Sequence, residues 1–188
     1  MTLYQLYTIN KIESVTTFQD NISVREPENL GTKRVNGIEL NGKISPSKKI
    51  VISGDFNYNS FDRKAMWKGN SFDFKGESWF SELTSKFKLP KDLDIEFSWN
   101  YQSGFKTIDG QSEPSQFLNL GARKKLLKGK GVISLNVRDL FVTRVSENFT
   151  IRNDFNVGTR SVYGRFWSLG FSYGFGKGEA MEFRGRRR

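Results

Sequence analysis

The sequence predicts an all-β fold: an antiparallel up-and-down transmembrane β-barrel with about eight strands here. Three observations carry that expectation. Apolar and polar residues alternate with period two over long segments, short turns and long connections alternate along the chain, and Trp and Tyr gather near segment ends. Helix-period patterns are hard to find.

Taken in order, residues 2–12 read as a strand whose facing is ambiguous. In residues 37–45, Ile38, Leu40 and Ile44 alternate with Glu39, Asn41 and Lys43. IVISGDFNYN sets Ile50, Ile52, Phe56 and Tyr58 against Ser53, Asp55, Asn57 and Asn59. SWFSELTSKFKL sets Trp79, Leu83, Phe87 and Leu89 against Glu82, Thr84, Lys86 and Lys88. The cleanest case is LDIEFSWNYQ: Leu93, Ile95, Phe97, Trp99 and Tyr101 share one face, and Asp94, Glu96, Ser98, Asn100 and Gln102 the other. Residues 116–127 form a weaker strand. VISLNVRD opposes Ile133, Leu135 and Val137 to Ser134, Asn136 and Arg138, and RFWSLGFSYGF opposes Trp167, Leu169, Phe171, Tyr173 and Phe175 to Ser168, Gly170, Ser172 and Gly174.

Length separates a membrane wall from a soluble sheet. Crossing a bilayer obliquely takes about 9–11 residues, against five or six in an ordinary strand. Segments 76–89, 93–102 and 163–176 reach that length. The connections Pro46-Ser47-Lys48-Lys49, Pro90-Lys91-Asp92 and Lys128-Gly129-Lys130-Gly131 are short and carry turn formers. The others, near residues 13–34, 60–75, 103–115 and 142–160, are long and polar. Outer-membrane barrels sort their loops this way, short inside and long outside. On this reading Ile95, Phe97, Trp99, Leu135, Trp167 and Leu169 face lipid. Glu39, Asp55, Glu82, Glu96 and Arg138 belong to a hydrated interior wall. Two other architectures produce similar alternation: a complete eight-stranded barrel with a structural or adhesion role, and a soluble β-sandwich binding module whose apolar faces pack on each other.

With neither Cys nor His, the chain holds no thiol nucleophile, imidazole base or Cys/His metal set, and no pair of carboxylates is singled out by spacing. No catalytic, metal or cofactor site is expected, and no enzymatic activity. A net charge of +10 is spread along the chain apart from the cluster Arg184–Arg188. Such a balance suits anionic lipid and lipopolysaccharide, and lacks the concentrated basic stripe of a nucleic-acid binder. No run of about 18 apolar residues exists, so no transmembrane helix is expected. MTLYQLYTINKI fails as a signal peptide, because Gln5, Thr8 and Asn10 interrupt any apolar stretch.

At the residue level, SVYGRFWSLGFSYGFGKGEAMEFRGRRR resembles the C-termini of TonB-dependent receptors and related outer-membrane barrel proteins of Bacteroidetes, which close on alternating aromatics, Phe-Gly-Lys and a short basic tail. SLNVRDLFVTR resembles their penultimate strand, with its Asn-x-x-Asp-Leu-Phe-Asn-Thr-Arg pattern. Asn136, Asp139, Leu140, Phe141, Thr143 and Arg144 match, and Val142 stands where Asn is usual. ENLGTKRVNGIELNG is similar to a strand start in which Asn-x-Gly leads to Gly-x-Glu, through Asn29, Gly31, Gly37 and Glu39.

The resemblance implies a large barrel in the cell outer membrane, plugged by an N-terminal domain and driven by the TonB complex, for an unidentified ligand. It further implies that the barrel-assembly machinery reads the last strand, with Phe171, Tyr173 and Phe175 as signal side chains. Nothing in the sequence resembles a plug, so the chain is expected to be a fragment of such a receptor. Residues 1–177 are expected to supply strands and loops, and residues 178–188 a basic periplasmic tail. The loop sets Asp62, Arg63, Lys64 and Trp67, and Asp109, Gln111 and Glu113, select no ligand class.

Overall fold

A computed structural model describes residues 1–20, 22–108, 110–151 and 155–175. The basic tail and Asp109 lie outside the described residues. The backbone is built from β1 (Thr2–Ile9), β2 (Ile12–Gln19), β3 (Ile22–Asn29), β4 (Thr32–Ser47), β5 (Ile50–Lys64), β6 (Met66–Trp67), β7 (Asn70–Ser71) and β8 (Phe74–Leu89). There follow β9 (Leu93–Gln102), β10 (Phe105–Lys106), β11 (Gly110–Ser112), β12 (Ser115–Leu126), β13 (Gly131–Arg138), β14 (Val145–Ile151), β15 (Asn156–Val162) and β16 (Phe166–Tyr173). Among the described residues, one 3-10 turn, Leu127–Gly129, interrupts them.

One 8-stranded antiparallel sheet dominates, in the order β1-β4-β5-β8-β9-β12-β13-β16. Each long strand pairs with the long strand before it in the chain, which is the meander expected of an up-and-down wall. Leu93–Gln102 matches its sequence span at both ends. β5 and β8 run further than the alternation shows, to Lys64 and from Phe74. Backbone hydrogen bonds need no apolar face, so pairing continues past the point where the side chains lose their pattern.

The three short turns lie at one end of this sheet. Ser47 Oγ accepts from the Lys49 N–H at 3.2 Å. Lys91 and Asp92 take φ of +62° and +57°, and Leu127 and Lys128 +53° and +57°. These left-handed residues reverse the chain within a few steps.

The long connections, read from the sequence only as long and polar, fold into further β structure at the opposite end. β2 and β3 form one hairpin, β6 and β7 another. β10, β11, β14 and β15 form a 4-stranded sheet in which β11 pairs with β14, joining two connections that are remote in sequence. Val15, Leu30 and Ala65 make a small buried cluster with Trp67, Phe72 and Ile108 against it, so three connections share one apolar contact. Trp67 is therefore a packing residue, its ring 6.4 Å from Phe72 and its Nε1 donating to Glu28 at 3.4 Å.

Two glycines of the strand-start motif have structural causes. Gly31 turns from β3 into β4 at φ +57°, where a Cβ would run into the Lys64 carbonyl. Gly37 lies beneath the Tyr4 ring, in space a side chain would fill. Replacing Gly31 by Ala combines a left-handed strain with a backbone clash, and is expected to destabilise the fold by roughly 1–3 kcal/mol. Urea unfolding in detergent checks this; an unchanged midpoint would refute the close approach.

Candidate functional site

Directly opposed residues in an antiparallel pair share a face, so the register sorts every side chain of the long sheet. One row runs Ile50–Phe87–Ile95–Ala122–Leu135–Leu169 across six strands. The next runs Ile52–Ser85–Phe97–Leu120–Val137–Trp167. Trp99 follows between Leu83 and Leu118. Thus Ile95, Phe97, Trp99, Leu135, Trp167 and Leu169 occupy a single continuous apolar face. Phe171 and Tyr173 extend it toward the short-turn end, opposite Ile133 and Gly131. Phe175 follows the strand, 88% exposed, with its ring 4.8 Å from that of Tyr173.

No second layer covers this face among the described residues. Leu169 is 77% exposed, Phe171 65% and Trp167 57%, which a sandwich core would not leave in contact with water. From Trp79 to Leu89 the apolar rows rise by about 33 Å along the strand. At a tilt near 40° that is about 25 Å, the height of the apolar band of a membrane barrel. Near the long-connection end, Trp79 stacks on Tyr101 at 4.3 Å between ring centroids, Trp99 lies 6.0 Å from Tyr101, and Tyr58 Oη donates to Glu77. Amphipathic rings with polar tips collect at that level, as an aromatic girdle does.

The other face is polar. Asp55 stands opposite Glu82, which stands opposite Asn100; Lys86 and Glu96 form an ion pair at 2.8 Å; Glu39 faces Asn57. Arg138 pairs in register with Phe166 at the rim of a concavity of about 590 Å³ shared with Glu82, Asn100, Asn119 and Arg144.

Beside that concavity, the Asn-x-x-Asp-Leu-Phe motif is a turn lock. Asp139 is buried at 1% exposure. Its carboxylate accepts from the Thr143 N–H at 2.8 Å and the Arg144 N–H at 3.0 Å, while its own N–H donates to Asn119 at 3.0 Å. The Leu140 N–H donates to the Leu118 carbonyl at 2.7 Å, tying the turn to β12. The Arg144 guanidinium lies between the Phe117 ring at 4.8 Å and the Tyr163 ring at 4.5 Å. These contacts were not legible as contacts in the sequence; the spacing of Asp139 to Thr143 and Arg144 was the available sign. Asp62, Arg63, Gln111 and Glu113 are taken up in local pairs: Asp62 with Lys75, Arg63 with Glu13, and Gln111 with Glu113.

The model of the outer membrane protein β-barrel family matches residues 1–173. The chain belongs to that family. No curated protein and no solved structure matches it. Family membership makes the long sheet a stretch of outer-membrane barrel wall, with its short turns at one rim and its β-rich connections at the other.

The Asn that is usual at position 142 of the motif also acquires a physical reason. Val142 has φ +58°, a left-handed conformation that Asn tolerates and a β-branched residue resists. Val142→Asn is expected to raise stability by roughly 1 kcal/mol, read as a later urea midpoint in detergent. Asp139→Ala takes the buried acceptor away from two turn amides and is expected to cost roughly 1–3 kcal/mol, whereas Asp139→Asn, which keeps an acceptor, costs less. Equal losses in the same unfolding measurement would show that the carboxylate's hydrogen bonds are not what holds the turn.

Proposed function

We propose that this chain is the C-terminal part of the membrane barrel of a TonB-dependent outer-membrane receptor, forming wall for the active import of a ligand. The observation that carries the reading is the Asp139 turn: the motif residues that resemble the receptors' penultimate strand make a specific structure, with each of Asp139, Thr143 and Arg144 engaged. Further N-terminal strands, a plug and the TonB complex supply closure, gating and energy. The chain contributes no catalysis, takes no cofactor and binds no nucleic acid.

In this reading Ile95, Phe97, Trp99, Leu135, Trp167 and Leu169 stand against lipid hydrocarbon, with lipopolysaccharide at the outer rim. The barrel-assembly machinery reads β16 through Phe171 and Tyr173, which share one side of the strand, and through Phe175, which follows it. The polar face lines the lumen.

Two measurements test this. Phe97→Arg or Leu135→Arg should cost about 2–4 kcal/mol of stability in phospholipid vesicles, whereas Ser98→Arg on the other face should cost much less; equal costs would remove the lipid assignment. Genomic sequence upstream of Met1 should continue in frame through more barrel strands to a plug. A stop codon and a signal sequence there would instead favour a complete eight-stranded barrel, since eight strands suffice to close.

A further inference from the structure

At the long-connection end of the polar face, Lys33 of β4 and Arg63 of β5 are direct cross-strand partners. Like charges placed opposite each other destabilise a sheet unless an anion lies near. One carboxylate is near. Glu13 of β2 reaches across from its hairpin and accepts from Arg63 at 2.7 Å and from Lys11 at 3.3 Å. Both Glu13 and Arg63 have side chains only 16% exposed. Glu28, directly opposite Glu13 in the hairpin, engages the Trp67 indole instead.

Two cations therefore pair with one carboxylate, and Lys33, near enough to feel all three, makes no ion pair among the described residues. Its ammonium rests 5.3 Å from the Phe61 ring centre, and the Arg63 guanidinium rests 5.2 Å from the same ring and 5.4 Å from Phe74. Phe61 lies across Gly76, which offers no side chain to displace it. The aromatic floor is thus fixed, while Arg63 Nε is buried with no hydrogen-bond partner among the described residues. Burial, with Arg63 and then Lys11 nearby, pushes the Lys33 pKa below the ordinary lysine value, and Glu13 only partly offsets this. Lys33 lies well beyond the apolar rows, at the second residue of β4. A clasp fastening the hairpin to the wall would need one cation for Glu13. The surplus charge and the idle Nε are what a clasp leaves unexplained.

We propose that Lys11, Lys33 and Arg63, over the Phe61 and Phe74 rings, form a binding site for a compact oxyanion, the phosphate or carboxylate group of a solute on the polar face of the wall. The register sets this site opposite the apolar face, so lipid headgroups do not reach it. The inference rests on the geometry of the cluster and not on the TonB reading.

The test uses the full chain folded in detergent micelles with isotope-labelled lysine. Inorganic phosphate is titrated at constant ionic strength held with chloride, and the Lys33 side-chain resonance is followed. A saturable shift, with the Lys33 pKa moving up toward the ordinary value, is the expected result. Arg63→Gln and Lys11→Gln should each weaken half-saturation about tenfold, while Lys43→Gln, on the same face at the other end of β4, should leave it unchanged. Should Arg63→Gln fail to fold, the Lys11→Gln pair with wild type still decides. A shift that follows ionic strength alike in phosphate and chloride, or one produced by added lipopolysaccharide but not by phosphate, would overturn the proposal.

Discussion

The structure depends on keeping residues of like character opposite one another through successive antiparallel pairs. A side chain's face is set by parity, so a slip of one residue anywhere would move a strand's apolar set to the polar side. Here the row through Ile95 stays apolar across six strands, and the row through Phe97 does so apart from Ser85, without such a slip. In hydrocarbon the same ladder has a second duty. Each unpaired backbone group there costs several kcal/mol, so the hydrogen bonds that set register also make the wall compatible with lipid.

The wall's two rims are controlled by different chemistry. At the short-turn rim, left-handed residues such as Lys91 and Asp92 reverse the chain within a few steps. At the other rim the chain must leave the wall and return after long excursions, and side chains hold the exits. Asp139 binds the amides that follow it, and Gly31 lets β4 begin against the Lys64 carbonyl. The excursions are themselves β-structured and joined to one another, through β11 with β14 and through the Val15 cluster. The outer rim is therefore a connected layer, with the surplus cations of Lys33 and Arg63 at the seam between hairpin and wall.

Charge and aromatic residues work together on the polar face. Phe61, Phe74 and Phe117 interrupt the alternation there, yet each lies beside a cation: Lys33 and Arg63 over the first, Arg63 over the second, Arg144 over the third. A guanidinium on a ring keeps its charge at lower solvation than in open water. That explains these three rings on a hydrated face without assigning them to lipid.

Local composition alone determined the strands of the wall, their long and short connections, and the face to which Ile95, Phe97, Trp99, Leu135, Trp167 and Leu169 belong, because a period of two is a property of the extended backbone itself. The resemblance of SLNVRDLFVTR to a known strand motif, and not composition, marked Asp139 and Val142. Neither revealed that the long connections are hairpins, that β11 reaches β14, or that Lys33 meets Arg63 and Glu13. Those contacts join residues far apart in the chain, and their partners are set by register and by packing at the rim. Tertiary structure alone decided them, since a polar residue carries no periodic sign of which distant residue it will face.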